Sequence, residues 1–315
     1  MTFHIAYSCN DKYVEQTMVS MVSIMENHRE DKIIFYLIED GINSSRIQSI
    51  EKLVKKYGQC LIVKKLDEVM GNNCINGDER HPGTIYAKIF LVDVCDADRV
   101  LYLDSDTVIC NSLEGLWKMD LQDCYIAGVK MPYSDRTKSK LGLDANDAYV
   151  CDGVLLLNLE KWRTEDLKKK CLDYINDCNG EPFMLSEGTV NYIAKKHVKV
   201  LTPEYNLMSS MILWSAAQIR ELFDCPDYYS DHDVIGAREK PVIIHYLNEL
   251  YIRPWFANSD HPYREIYLEY RTKAGCNEKL LTVKQGKRTL ILKLLNRYMP
   301  FCVLKKIYRN VKKGR

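Results

Sequence analysis

The sequence predicts an α/β protein: one Rossmann-like domain around a mostly parallel mixed sheet, followed by a basic amphipathic helical tail. Three observations predict it. Short apolar runs of strand length alternate with stretches of helical periodicity through the first hundred residues. One apolar run, residues 100–103, ends in two acids a single residue apart. Residues 284–315 hold 11 Lys or Arg and no acid, which leaves 33 bases against 43 acids in residues 1–283, a balance of −10.

Taken in order, residues 3–7 read as a strand and residues 13–26 as a helix, with Val14, Met18, Val19, Val22 and Met25 at helical spacing. A second strand over 33–38 is followed by a helix over 44–57 whose Ile47, Ile50, Leu53 and Val54 share a face, then by a third strand over 61–65. This alternation implies right-handed βαβ units. A polar loop from Gly71 to Gly83 leads to a helix over 84–94. Residues 99–110 form a strand that breaks at Asp104 and Asp106 and then resumes. Strands over 125–129 and 154–159, helices over 160–177 and 189–195, and a late buried strand over 242–246 complete a domain ending near residue 270. Residues 271–315 are its appendage.

Composition narrows the function. An acidic body is poorly suited to wrapping nucleic acid, because phosphate neutralisation needs bases spread over the binding face. The 12 cysteines include no Cys-x-x-Cys pair, and six of them (Cys9, Cys60, Cys95, Cys110, Cys124 and Cys151) sit in or beside apolar runs. The N-terminus lacks the basic segment and long apolar stretch of a signal peptide, and no run of 18 apolar residues exists. The expectation is a cytoplasmic protein with reduced thiols.

Asp104-Ser105-Asp106 is the sharpest chemical signal. Alternate residues of an extended segment point the same way, so both carboxylates project together from the end of an apolar strand. Desolvated like charges repel unless a cation lies between them, and a divalent ion bridging to phosphate oxygens suits the place. A solvent-facing turn is the alternative. His245 ends the apolar run 241–246, where a neutral imidazole can complete a site of two carboxylates; a hydrogen-bonded core histidine is the other reading. Arg253, a few residues on, can supply a cation for phosphate.

The order of Tyr13, Thr84-Ile-Tyr-Ala-Lys88, Val100-Leu-Tyr-Leu-Asp-Ser-Asp106, Gly153-Val-Leu-Leu-Leu-Asn-Leu-Glu-Lys-Trp-Arg163, Tyr205-Asn206, His245-Tyr and Arg253-Pro-Trp255 resembles family 8 glycosyltransferases over roughly residues 3–256. That family contains retaining enzymes, among them bacterial lipopolysaccharide galactosyl- and glucosyltransferases and glycogenin. The resemblance implies a GT-A fold, a UDP-sugar donor, and Mn²⁺ or Mg²⁺ held by Asp104, Asp106 and His245. It implies nucleotide-sugar contacts from Ala6, Ser8, Asn10, Lys88, Asp104, Ser105, Asn248 and Arg253. Glu187 and Asp152 are the carboxyl groups expected near the reacting face of the sugar; a helix N-terminal acid and a surface-loop acid are their structural alternatives.

The sequence departs from the family pattern at Asn10, where an Asp is frequent, at Cys151-Asp152-Gly153, at Ser186-Glu187-Gly188 and at Asn248. Asn10 falls at the nucleoside end and the others at the sugar end of the site; those at Cys151 and at residues 186–188 allow a rival, a membrane-docked UDP-sugar binder without turnover. A sugar-nucleotide pyrophosphorylase is disfavoured, because residues 8–12 lack the Gly-rich loop that class needs.

In the tail, Leu290, Ile291, Leu294, Leu295 and Tyr298 recur at helical spacing between Lys287, Arg288, Lys293 and Arg297. Pro300 interrupts, and Leu304, Ile307, Tyr308 and Val311 continue the stripe. A basic amphipathic segment suits the anionic inner face of the cell membrane, consistent with lipid-linked saccharide acceptors. Packing against the domain or a second subunit is the alternative.

Overall fold

The computed structural model describes residues 1–71, 83–247 and 250–313. Among them the chain forms nine strands: Thr2–Asn10 (β1), Lys32–Asp40 (β2), Cys60–Lys65 (β3), Arg99–Leu103 (β4), Thr107–Ile109 (β5), Ile126–Gly128 (β6), Val154–Asn158 (β7), Val198–Val200 (β8) and Ile243–His245 (β9). Seven form one sheet in the order β3-β2-β1-β4-β7-β6-β8, and β5 pairs with β9 in a separate ribbon. The β3, β2, β1 and β4 strands run parallel, β7 is antiparallel to β4 and to β6, and β8 is parallel to β6.

Strand periodicity builds two cores. Phe3, Ile5, Tyr7 and Cys9 of β1 face one core with the Val14–Asn27 helix, while Ala6 faces the other with Tyr36 and Tyr102. The chain winds from β1 outward through β2 to β3, then crosses back to β4 on the opposite side of β1. This reversal leaves a crevice outside the carboxyl ends of β1 and β4, the place where open α/β sheets bind ligands.

Three elements differ from the sequence reading. The expected helix over 84–94 is a 3-10 helix, Gly83–Phe90, with one α turn, Leu91–Val94. With three residues per turn, Ile85 and Lys88 align, and both reach the crevice. The expected helix over 160–177 is two helices, Leu159–Thr164 and Leu167–Asp177, broken at Asp166 with φ 52°. Aspartate tolerates that left-handed conformation, and periodicity does not register it. Trp162 of the first helix is buried and donates from Nε1 to the Tyr125 carbonyl at 3.1 Å, a role in the fold. The late strand leaves the main sheet and pairs with β5.

The tail forms helices Lys287–Tyr298 and Phe301–Lys313, separated at Pro300. The second lies against the body: Leu304 is buried, and the Tyr308 ring meets Trp214 edge-on with centroids 5.6 Å apart. The first is seated by Trp214 Nε1 donating to Asn296 Oδ1 at 2.8 Å, while Leu290, Ile291, Leu294 and Tyr298 face solvent. No helix among the described residues is long and apolar enough to cross a membrane.

Candidate active site

The crevice is a cavity of about 530 Å³, lined by Ser8, Asn10 and Tyr13 from the β1 end, Asp104 to Asp106 from the β4 end, and Lys88, Asp152, Glu187 and Arg253. Beyond Leu103 the chain turns. Asp104 N–H donates to the Gly153 carbonyl at 2.8 Å, and Thr107 Oγ1 donates back to the Asp104 carbonyl at 2.8 Å. The chain then leaves the main sheet as β5, whose Thr107 stands opposite His245 of β9. That ribbon brings His245 to the acids.

His245 Nε2 lies 3.0 Å from Asp106 Oδ1 and 3.9 Å from Asp104 Oδ2. It is buried and has no hydrogen-bond partner among the described residues, so these are contacts of proximity. With Asn206 Oδ1 facing the ring, 3.1 Å from Nδ1, the neutral imidazole carries its proton on Nδ1 and leaves the Nε2 lone pair free beside the two carboxylates. Burial opposes a charged imidazole, but the Asp106 carboxylate overrides it and raises the His245 pKa well above its usual value. Burial likewise opposes ionisation of Asp106, and His245 and Arg253 override it, holding that carboxyl below its usual range. A divalent cation in place of the extra proton would satisfy all three groups at once.

The residues fit such an ion. One ligand atom from each of Asp104, Asp106 and His245 can be chosen so that all lie within 4.8 Å of one another. Two carboxylates and one imidazole suit Mn²⁺ or Mg²⁺ completed by phosphate oxygens. Asn206 orients the imidazole as an outer partner of a metal ligand does. Gly153 lines the cradle: a Cβ there would come within 2.5 Å of both Asp104 Oδ2 and His245 Cε1.

Two cations flank the acids. Arg253 Nη2 is 3.2 Å from Asp106 Oδ2, Nη1 donates to Tyr13 OH at 3.1 Å, Nε donates to the Tyr246 carbonyl at 3.2 Å, and the guanidinium stacks over Trp255. Lys88 is buried, its Nζ 2.5 Å from Asp152 Oδ2 and 4.5 Å above the Tyr102 ring. Asp152 also accepts from Ser186 Oγ at 2.8 Å.

Glu187 Oε1 accepts from Tyr149 OH at 2.9 Å and lies 3.4 Å from Tyr133 OH. Burial and then the Asp152 charge push its pKa up to about 8. Glu187 and Ser186 open the helix Leu185–Ala194 after two consecutive left-handed residues, Met184 (φ 63°) and Leu185 (φ 51°). Gly188 permits this turn, since a Cβ there would lie 1.9 Å from the Phe183 carbonyl oxygen. Strained backbone of this kind gathers where function requires an unusual placement.

The remaining expected contacts distribute as follows. Ser8 Oγ donates to the Thr84 carbonyl at 2.8 Å and meets Tyr102 OH at 2.9 Å. Asn10 lines the cavity and its side chain caps Lys12 N–H. Ser105 accepts from Thr17 Oγ1 at 2.8 Å. Ala6 is fully buried and does not line the cavity, because its methyl points into the sheet's second core. Asn248 lies outside the described residues. Tyr149 and the Met184–Leu185 turn are site features that no local spacing singled out, and Asn206 and Gly153, though part of the motifs quoted above, were given no role in the site. Asn206 is brought beside β9 by the Leu207–Ile244 bridge.

The profile described as Glycosyl transferase family 8 matches residues 4–259. General stress protein A of Bacillus subtilis is 23% identical over 87% of this chain and 94% of its own length. Lipopolysaccharide 1,2-glucosyltransferase of Escherichia coli is 26% identical over 84% of this chain and 78% of its own. The crystal structure of the galactosyltransferase LgtC with donor and acceptor sugar analogs superposes with a TM-score of 0.70 at 22% identity, covering 91% of this chain and 99% of that one. That likeness establishes the GT-A fold. With the profile spanning most of the sequence, the chain belongs to glycosyl transferase family 8.

Proposed function

We propose that this chain is a metal-dependent, retaining hexosyltransferase that moves galactose or glucose from a UDP-sugar to a saccharide of lipopolysaccharide or another surface glycan. Residues 1–270 carry the catalysis, and residues 271–315 associate with the inner face of the cell membrane. The observation that carries the reading is the convergence of Asp104, Asp106 and His245 at the crevice between β1 and β4, flanked by Arg253 and Lys88, in a family 8 chain.

Breaking the bond from the sugar to UDP places negative charge on the diphosphate, and stabilising that developing charge is the largest contribution such a site can make. A bound Mn²⁺ or Mg²⁺ would supply Lewis-acid stabilisation of that charge through Asp104, Asp106 and His245. Arg253, already aimed at Asp106, turns its donors to the phosphate oxygens. Ser8, Asn10 and Ser105 hold the nucleoside at the β1 end. Lys88, fixed by Asp152, orients the sugar. Asp152 and Glu187 face the reacting carbon, and Tyr149 sets the direction of the Glu187 carboxyl. Outside the catalytic domain, exposed Leu290, Ile291, Leu294 and Tyr298 beside Lys287 and Arg297 support the membrane role.

The test is release of UDP from UDP-galactose and UDP-glucose with Mn²⁺, with and without lipopolysaccharide-core saccharides. The expected result is turnover of one donor that EDTA abolishes and acceptor accelerates. Binding of UDP without turnover of any donor would favour the non-catalytic binder, and failure to bind UDP at all would overturn the donor assignment.

A further inference from the structure

Arg253 reaches the site from a loop, and the C-terminal segment braces that loop. Ile252, the residue before it, is pinned through both backbone polar groups. Its N–H donates to Asp260 Oδ1 at 2.8 Å, and its carbonyl accepts from Ser259 Oγ at 2.7 Å. Asp260 Oδ2 in turn pairs with Lys293 of the Lys287–Tyr298 helix. Close by, Gln285 Nε2 donates to the Leu250 carbonyl at 3.4 Å, and Asn258 exchanges two hydrogen bonds with the backbone of Val283. The helix carrying Lys293 is itself seated on Trp214 through Asn296. A continuous path of contacts therefore runs from the docked tail through Lys293, Asp260 and Ile252 to Arg253, and from there to Asp106.

We propose that Lys293 and Asp260 are positioning residues for Arg253, so that the docked C-terminal helix presets the guanidinium for the donor diphosphate. This rests on the UDP-sugar reading above. Arg253 must exchange its contact with Asp106 for phosphate oxygens when a nucleotide binds. The backbone at Ile252 is then held in place through the turn at Ser259 and Asp260. A loop ordered in advance binds with less loss of conformational freedom than one ordered by the ligand. A surface or partner that draws the tail helix off the body would, by the same contacts, weaken donor binding.

The experiment uses the full-length chain with Lys293→Ala, Asp260→Ala and Lys293→Arg. Amide hydrogen exchange over residues 250–256 is measured without ligand, together with UDP affinity in Mn²⁺. Side-chain exposures of 22% for Lys293 and 46% for Asp260 make this a partly solvated pair. Its loss in Lys293→Ala should weaken UDP binding roughly three- to fivefold. Asp260→Ala, which also uncaps Ile252, should weaken it about tenfold and speed exchange of the Ile252 amide by at least that factor. With a UDP-sugar, KM should rise while kcat changes little, and Lys293→Arg should restore both exchange and KM.

Unchanged exchange over 250–256 in both alanine variants overturns the brace, whatever UDP does. Faster exchange with UDP affinity equal to wild type separates loop order from the reach of Arg253 and also overturns the proposal. Faster exchange in a protein whose wild type does not bind UDP supports the brace and overturns the donor reading instead.

Discussion

Glu187→Gln perturbs a carboxyl group that the fold holds well above its ordinary titration. In the unfolded chain Glu187 ionises near pH 4.5, and in the folded protein near pH 8. The folded value is the higher one, so folding favours the protonated form. The stability attached to this group is fully present below pH 4.5 and is lost as pH rises toward 8. At about 1.36 kcal/mol per unit, the whole shift is worth about 5 kcal/mol. Between pH 5 and 8.5, a window that cuts off part of the titration at each end, it amounts to about 3–4 kcal/mol. Glutamine keeps an oxygen to accept from Tyr149 OH but has no proton to lose. The variant and wild type should therefore unfold at nearly the same temperature at pH 5. By pH 8.5 the variant should be the more stable by roughly 6–8 °C, taking about 2 °C per kcal/mol for a chain of this size. Calorimetric or fluorescence-monitored melts in EDTA at constant ionic strength measure the gap. A gap that stays flat from pH 5 to 8.5 would refute the reasoning, because it would mean that Glu187 is ionised in the fold throughout.

The other predictions concern the metal cradle and the tail. Asp106→Asn should lower Mn²⁺-dependent turnover by at least a hundredfold and abolish the rise in melting temperature on adding Mn²⁺; retention of that rise would contradict the ligand assignment. Asn206→Ala should weaken Mn²⁺ binding roughly 10- to 100-fold by freeing the His245 ring, whereas Asn206→Asp, which keeps an acceptor toward Nδ1, should lose much less. Equal losses in the two would show that Asn206 acts by packing alone. Leu290→Asp with Leu294→Asp, both on the exposed face of the tail helix, should reduce cosedimentation with phosphatidylglycerol vesicles while leaving the fold intact. Binding equal to wild type would reject that face as the membrane contact.

Much of the architecture was legible because its signals are local. The βαβ alternation through residue 65, the break of the strand at Asp104 and the interruption at Pro300 all reside in periodicity and in single residues. The helix Ala216–Phe223 carries an equally local signal, the capping box formed by Ser215 and Gln218. The 3-10 geometry around Lys88 and the left-handed break at Asp166 were not legible, because apolar spacing does not distinguish a tight turn from a regular one.

The chemistry divides along the same line. The sequence by itself determined that two acids leave a buried strand together and that a histidine ends a later apolar run with an arginine a few residues on, because strand alternation and burial act over a few residues. Only the tertiary structure decided that β5 would leave the main sheet to pair with β9, that Asn206, 39 residues upstream, would orient His245, and that Lys88 and Ser186 would both engage Asp152. It alone decided that the tail helix would brace the Arg253 loop. These contacts join distant parts of the chain, and their energies are individually small. The packing of both cores together selects them, and no short segment of sequence carries that information.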